Sequence, residues 1–335
     1  QTGILIAGGL AVVWLGLDKI AEVNNVEGIS EGFSQLLQSQ PEKFHTVLPK
    51  NHDELPWTGV FLGGLWIAAL SYWGCNQYII QRALAAKNLK EAQNGLLFAS
   101  VLSIIVAVII VLPGIIANEL YSSEINARDQ AFPVLIQKLL PVGYSGLVIA
   151  ALIAAIISSL NSMCNSVATI FTMDIYRHFF KKQVTQKNMV LVGRIVTAVA
   201  LLIAVLVTPK IVEMGRLFAF IQEYTGFVTP GVLVIFLLGM FWKKANENAA
   251  LTAVLLTIPV SVVLKVTLPD VAFLNRMTFT FLILLAISFF IAFSSKKQHP
   301  VPAKKEVPVK GSSLLFNVGS LIITALIAAF YLIFW

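Results

Sequence analysis

Charge is scarce in this chain of 335 residues: Asp, Glu, Lys and Arg make up 12%, against 57% hydrophobic residues. Soluble domains carry roughly 25% charged residues, so the composition excludes a soluble globular protein and indicates a polytopic membrane protein. Cysteine is nearly missing. Cys75 and Cys164 both sit inside apolar runs, belong to no metal-ligand cluster, and read as small apolar filler. The four histidines, His45, His52, His178 and His299, all fall outside the apolar runs, so no proton relay is evident within them. There is no phosphate loop, catalytic triad or Cys/His metal spacing, and neither ATP-driven work nor enzyme chemistry is supported. The net charge of +7 is spread over loops rather than clustered among exposed aromatics; membrane topology explains it better than nucleic acid does. The chain opens at Gln1 with no Met and no basic leader, in an apolar run already under way. That is no signal peptide, and it reads as the interior of a larger protein.

What is present is a series of apolar runs. Crossing a bilayer takes about 20 such residues in a helix, and on that measure spans are expected at 3–20, 56–80, 93–120, 142–173, 189–208, 216–241, 248–267, 276–294 and 314–334. Between them, basic and non-basic loops alternate without a break. The positive-inside bias places 81–92, 174–188, 242–247 and 295–313 in the cytoplasm, and the acidic segment 21–55 and the C-terminal Trp335 outside. The Lys- and Pro-rich 295–313 reads as an extended cytoplasmic linker, and GISEGFSQLLQ within 21–55 suggests a short surface helix.

Three spans are more than lipid-facing filler. The stretch Leu139–Met173 carries no charge, yet Ser158, Ser159, Asn161, Ser162, Asn165 and Ser166 crowd its middle. On a helix the Ala155 carbonyl shares the face of Ser158 and Ser159, three and four residues on. Two hydroxyls and a carbonyl are hard, neutral donors, which suit a monovalent cation such as sodium better than calcium. Three donors are too few, so another helix must complete the shell. The alternative is that both serines bond back to their own i−4 carbonyls. The span 56–80 holds Gly59, Gly63, Gly64 and Gly74, followed by Ser71, Tyr72 and Trp73 at mid-depth; it is either broken to expose backbone to a solute or simply tightly packed. In 216–241, Gly226, Thr229, Pro230 and Gly231 mark a kink, the amide of Gln222 suits a polyol, and Phe218 lies one turn before it. Glu223 is a carboxylate well inside the span, either functional or snorkelling outward.

YWGCNQYIIQRALAAKN (Tyr72–Asn88), SSLNSMCNSVATIFTMDIYR (Ser158–Arg177), FIQEYTGFVTPG (Phe220–Gly231) and FLLGMFWKK (Phe236–Lys244) together resemble the sodium/solute symporters, in particular their bacterial sugar-transporting (sodium/glucose-type) members. The resemblance runs over nearly the whole chain. It implies an all-α polytopic membrane protein with the inverted-repeat (LeuT-like) transporter fold: 1–20 as the last helix of repeat one, 21–55 as an external loop, 56–241 as the whole second five-helix repeat, and 242–335 as three peripheral helices. It puts sodium on Ala155, Ser158 and Ser159, with the remaining ligands on the broken first helix of repeat one, which this chain does not contain. It makes Gln222 a hydrogen-bonding partner of the sugar, Phe218 an outer gate and Tyr72, with Trp73 beside it, an inner gate stacking on the sugar. Two positions depart from the sugar-transporting pattern: Ala69 stands where those members have an Asn, and Ser103 where they have a Lys. Losing an amide and an ammonium removes polar partners worth about 1–3 kcal/mol each if buried, which points to a sugar-like solute rather than to galactose itself.

The function expected is therefore sodium-coupled symport of a sugar or sugar-like solute by alternating access, in a cell membrane, the bacterial inner membrane by the resemblance. The alternatives are a non-sugar solute (sialic acid, myo-inositol or a carboxylate anion) and a membrane sensor module. The chain ends at Trp335 straight after a span, with no soluble domain appended, which argues against the sensor.

Overall fold

The computed structural model describes residues 2–180, 185–212, 217–242, 244–294 and 311–335; the side chains of 212 and 217–219 are outside that set. Every regular element described is helical. In chain order these are α1 (Thr2–Val23), α2 (Ile29–Ser39), α3 (Trp57–Phe61), α4 (Gly64–Gly74), α5 (Gln77–Leu84), α6 (Leu89–Tyr121), α7 (Ala131–Leu139), α8 (Val142–Ile170), α9 (Gln186–Val212), α10 (Leu217–Thr225), α11 (Thr229–Phe241), α12 (Glu247–Thr267), α13 (Phe273–Ser294) and α14 (Leu314–Ile333). Among the described residues seven helices are long and apolar enough to cross a membrane, and a bent pair makes an eighth. Most of the linker 295–313 lies outside the described residues, as do Lys181, Lys182 and Lys243 of the basic loops.

Two expected spans are not continuous. The 56–80 segment is interrupted at Leu62–Gly63 and again at Cys75–Asn76, where α5 turns by 49° from the α3–α4 pair. The first interruption is a matter of space. The chain passes so close to α13 that a Cβ on Gly64 would overlap the Leu274 carbonyl, and one on Gly63 the Thr278 hydroxyl. The 216–241 segment divides at Gly226–Val228 into α10 and α11. Pro230 sits in the first turn of α11, where its missing N–H costs no hydrogen bond.

The chain forms two compact units. The first contains residues 1–45 and 97–217. Here α1 packs on α2, α7 and α8, and α8 on α9. Its core gathers Val12, Leu17, Ile20, Leu36, Ile116, Leu135 and Ile136. The expected surface helix in 21–55 is α2, which buries Gly32 and Leu36; Gly32 lies so near the Leu17 carbonyl that any side chain would collide with it. After Ile170 the axis of α8 continues to Phe180 in wider, i→i+5 turns.

The second unit contains residues 46–96 and 218–335. Its α4, α11, α12 and α13 pack together, with Ile67, Leu233 and Met277 in one cluster and Val234, Leu238, Ala253 and Leu284 in another. Small polar residues line the α12–α13 seam. Ser261 and Thr280 hydroxyls lie 3.4 Å apart, and Ser288 donates to the Ala249 carbonyl at 3.4 Å. In a hydrocarbon setting, where apolar contact alone gives helices little preference for each other, such seams let backbones approach and pair. Thr46 ties this unit to its last helix through two bonds to the Phe334 carbonyl, both 2.7 Å.

Candidate functional site

The first group of candidate residues lies on α8. Its Ala-rich segment before Ser158 favours helix, and Pro141 precedes the first turn. Ala155 is half-buried and Ser158 and Ser159 are exposed. Most hydroxyls on these helices return to their own backbone: Ser103 to Ala99 at 2.9 Å, Ser162 to Ser158 at 3.2 Å, Thr169 to Asn165 at 2.7 Å, Thr208 to Ala204 at 2.7 Å. Ser158 and Ser159 do not; among the described residues neither hydroxyl makes a hydrogen bond. The back-bonded alternative is thus not the arrangement adopted. Two hydroxyl oxygens and the second lone pair of the Ala155 carbonyl stay available on one face. That donor set fits a small monovalent cation and lacks the carboxylates calcium recruits.

The second group lies in the other unit. Tyr72 and Trp73 occupy the last turn of α4 with rings edge to face at 5.5 Å, and both are exposed. The Tyr78 hydroxyl, on α5, donates to the Tyr72 hydroxyl at 2.6 Å. Ala69, a turn earlier, is half-buried. Gln222 sits half-buried near the end of α10, and its side-chain amide makes no hydrogen bond among the described residues, while its carbonyl accepts from Gly226 at 3.0 Å. An uncommitted amide beside a helix break is chemically suited to a hydroxylated solute. The Phe218 side chain lies outside the described residues. Ser103 belongs to the first unit, and its hydroxyl is spent on the Ala99 carbonyl.

Glu223 is neither free nor snorkelling. Its Oε1 lies 2.8 Å from Arg276 and 3.3 Å from Lys265. Nothing in the spacing of the sequence singled out those two cations, or Tyr78. A signal was available for the cations: Lys265 ends one apolar run and Arg276 opens the next, two charges that need a partner near the membrane.

Three comparisons bear on this arrangement. The family model described as the sodium:solute symporter family matches residues 1–257. A sodium/glucose cotransporter of Vibrio parahaemolyticus is 39% identical over 100% of this chain and 65% of its own length. Sodium/myo-inositol cotransporter 2 of Homo sapiens is 34% identical over 75% of this chain and 41% of its own. The chain thus spans less than two thirds of the length of these relatives. A solved structure of a Na+-coupled sialic acid symporter, in a substrate-bound outward-open state, superposes with a TM-score of 0.69 at 23% identity, covering 88% of this chain and 61% of that one. The likeness shows that the two share a fold, the inverted-repeat transporter architecture.

Proposed function

The chain belongs to the sodium:solute symporter family, and from that premise we propose that it serves sodium-coupled symport of a sugar or sugar-like solute. The observation that carries the sodium half is the pair of uncommitted hydroxyls, Ser158 and Ser159, above the Ala155 carbonyl on an otherwise apolar helix. Ala155, Ser158 and Ser159 supply three sodium ligands, and donors beyond this helix complete the shell. Gln222 holds the solute by hydrogen bonds, and Tyr72 with Trp73 closes the inner side. In this reading 1–20 is the last helix of repeat one, 56–241 the second repeat, and 242–335 three peripheral helices. The basic loops face the cytoplasm and Trp335 faces out.

Mechanistically, sodium entering from outside stabilises the outward-open arrangement, the solute binds, and both leave inward past Tyr72. The work comes from sodium moving down its gradient, about 2.3 kcal/mol per charge per 100 mV plus the concentration term. Coupling requires that sodium bind one arrangement better than the other and that the solute bind that same arrangement. Ala69, whose side chain offers no polar atom, and Ser103, whose hydroxyl donates to the Ala99 carbonyl, offer a hexose fewer polar partners and weigh against galactose itself. The test is uptake by proteoliposomes of the full-length protein, with labelled sugars, inositol, sialic acid and carboxylates, with and without a sodium gradient. Uptake of a sugar or polyol that collapses without sodium is the expected result. Uptake indifferent to sodium overturns the coupling, and uptake of carboxylates alone overturns the solute class.

A further inference from the structure

The half-helix that carries Gln222 is held differently from the one that follows it. Helix α11 buries Pro230, Gly231, Leu233, Val234 and Leu238 and packs on α4, α12 and α13. Helix α10 is nine residues long and has no comparable helix-on-helix packing among the described residues. Among the described residues its ties, and those of the break that follows it, are mainly polar and converge at one corner. Arg276, in the first turn of α13, donates through Nη2 to Glu223 Oε1 at 2.8 Å. Through Nη1 it donates to the carbonyls of Val271 (2.7 Å), Pro269 (3.2 Å) and Leu268 (3.3 Å). Lys265, in the last turn of α12, lies 3.3 Å from the same carboxylate oxygen and 4.8 Å over the Tyr224 ring. Ser261 donates to the Phe227 carbonyl at the break, 3.3 Å away. Glu223, Gly226, Phe227, Ser261 and Arg276 line one small cavity there.

The Arg276 side chain is 12% exposed and that of Glu223 25%. A pair so withdrawn from water is poorly screened, and removing one partner strands the other. The planar guanidinium also fixes direction, because it is already committed to the 268–271 turn when it meets the carboxylate. A short helix tied at one side chain is restrained from turning about its axis. Adjacent residues differ by about 100° around that axis, so pinning Glu223 sets the aim of Gln222.

We propose that Glu223, Arg276 and Lys265 form an ionic latch that fixes the rotation of α10, which makes Arg276 and Lys265, on helices beyond the second repeat, positioning residues for the Gln222 amide. The proposal rests on the solute-binding role given to Gln222.

Full-length protein in nanodiscs, as parent, Glu223→Gln, Arg276→Gln and Arg276→Lys, is compared by hydrogen exchange of peptides covering 217–225 and 142–170, and in proteoliposomes by sodium-driven uptake. The latch predicts exchange in 217–225 at least about tenfold faster in both Gln variants, the scale of one charge-assisted hydrogen bond. Exchange in 142–170 stays as in the parent, and Arg276→Lys, which keeps the charge but not the fork, restores only part of the protection. The KM for solute rises about tenfold with the maximal rate nearly unchanged, as expected when binding alone is lost. Unchanged exchange in 217–225, or equal acceleration in 142–170, overturns the latch. Gln222→Ala run alongside separates the two claims. If it raises KM and Glu223→Gln does not, the latch is wrong; if Gln222→Ala leaves KM unchanged, the solute role of Gln222 is wrong.

Discussion

The hydroxyl of Tyr78 donates to the hydroxyl of Tyr72 at 2.6 Å, and this bond bridges the Cys75–Asn76 break where the helix axis turns by 49°. One phenol stands on each side of the bend, so the bend angle and the position of the Tyr72 ring are coupled. If Tyr72 closes the inner side of the solute site, Tyr78 holds it closed.

Tyr78→Phe keeps the ring, which sits edge to face with Tyr72 at 6.0 Å, and deletes the bond. A hydrogen bond of this kind contributes about 0.5–1.5 kcal/mol. Efflux of preloaded labelled solute from proteoliposomes is expected to speed up about two- to tenfold. Efflux at the parent rate would disconnect Tyr78 from the gate.

Ser159→Ala removes a proposed sodium ligand without breaking any hydrogen bond among the described residues. Without sodium, its thermal stability should stay within about 0.5 kcal/mol of the parent. The sodium concentration for half-maximal uptake should rise at least about fivefold, since a lost polar ligand is worth about 1–3 kcal/mol. The gain in melting temperature on adding sodium should shrink accordingly, as linkage requires. A variant whose melting responds to sodium like the parent's would remove Ser159 from the site.

Ala69→Asn combined with Ser103→Lys puts back the amide and ammonium that sugar-transporting members of the family have by resemblance. Hexose uptake relative to inositol should increase by about tenfold, because an added group that meets a sugar hydroxyl discriminates by about 1–3 kcal/mol. A ratio unmoved by the double change would show that these positions do not face the solute.

Gly64→Ala tests the first break in the 56–80 segment. The added methyl meets the Leu274 carbonyl, which is backbone and cannot swing aside. A loss of about 1–3 kcal/mol is expected, typical of overpacking, read as an earlier thermal transition in detergent. The same change at Gly146, where a methyl meets nothing within 4 Å, serves as the control.

Much of this was legible in the chain itself, where local composition settles local structure. The uncharged run after Lys138 became α8, Gly63 and Gly226 stand at real breaks while Thr229, Pro230 and Gly231 open α11, and the serines at 158 and 159 stood out against alanine. What spacing could not reveal was pairing at a distance. Glu223 and Arg276 are 53 residues apart, and only the packing of α12 and α13 brings the cation to the carboxylate. Tyr78 sat in plain view within a conspicuous motif. Its role depends on the angle of a bend, which no periodicity encodes.

The wide turns from Phe171 to Phe180 have a practical consequence for anyone mapping the ion face. A residue-by-residue accessibility scan along this helix should show a period near 3.6 up to Ile170 and a longer one beyond it. Asp174, Tyr176 and Arg177 therefore rotate out of the register that counting forward from Ser158 would give them. Each needs its own measurement, and a strong effect at one of them reports on the helix's far end rather than on the face that carries the two serines.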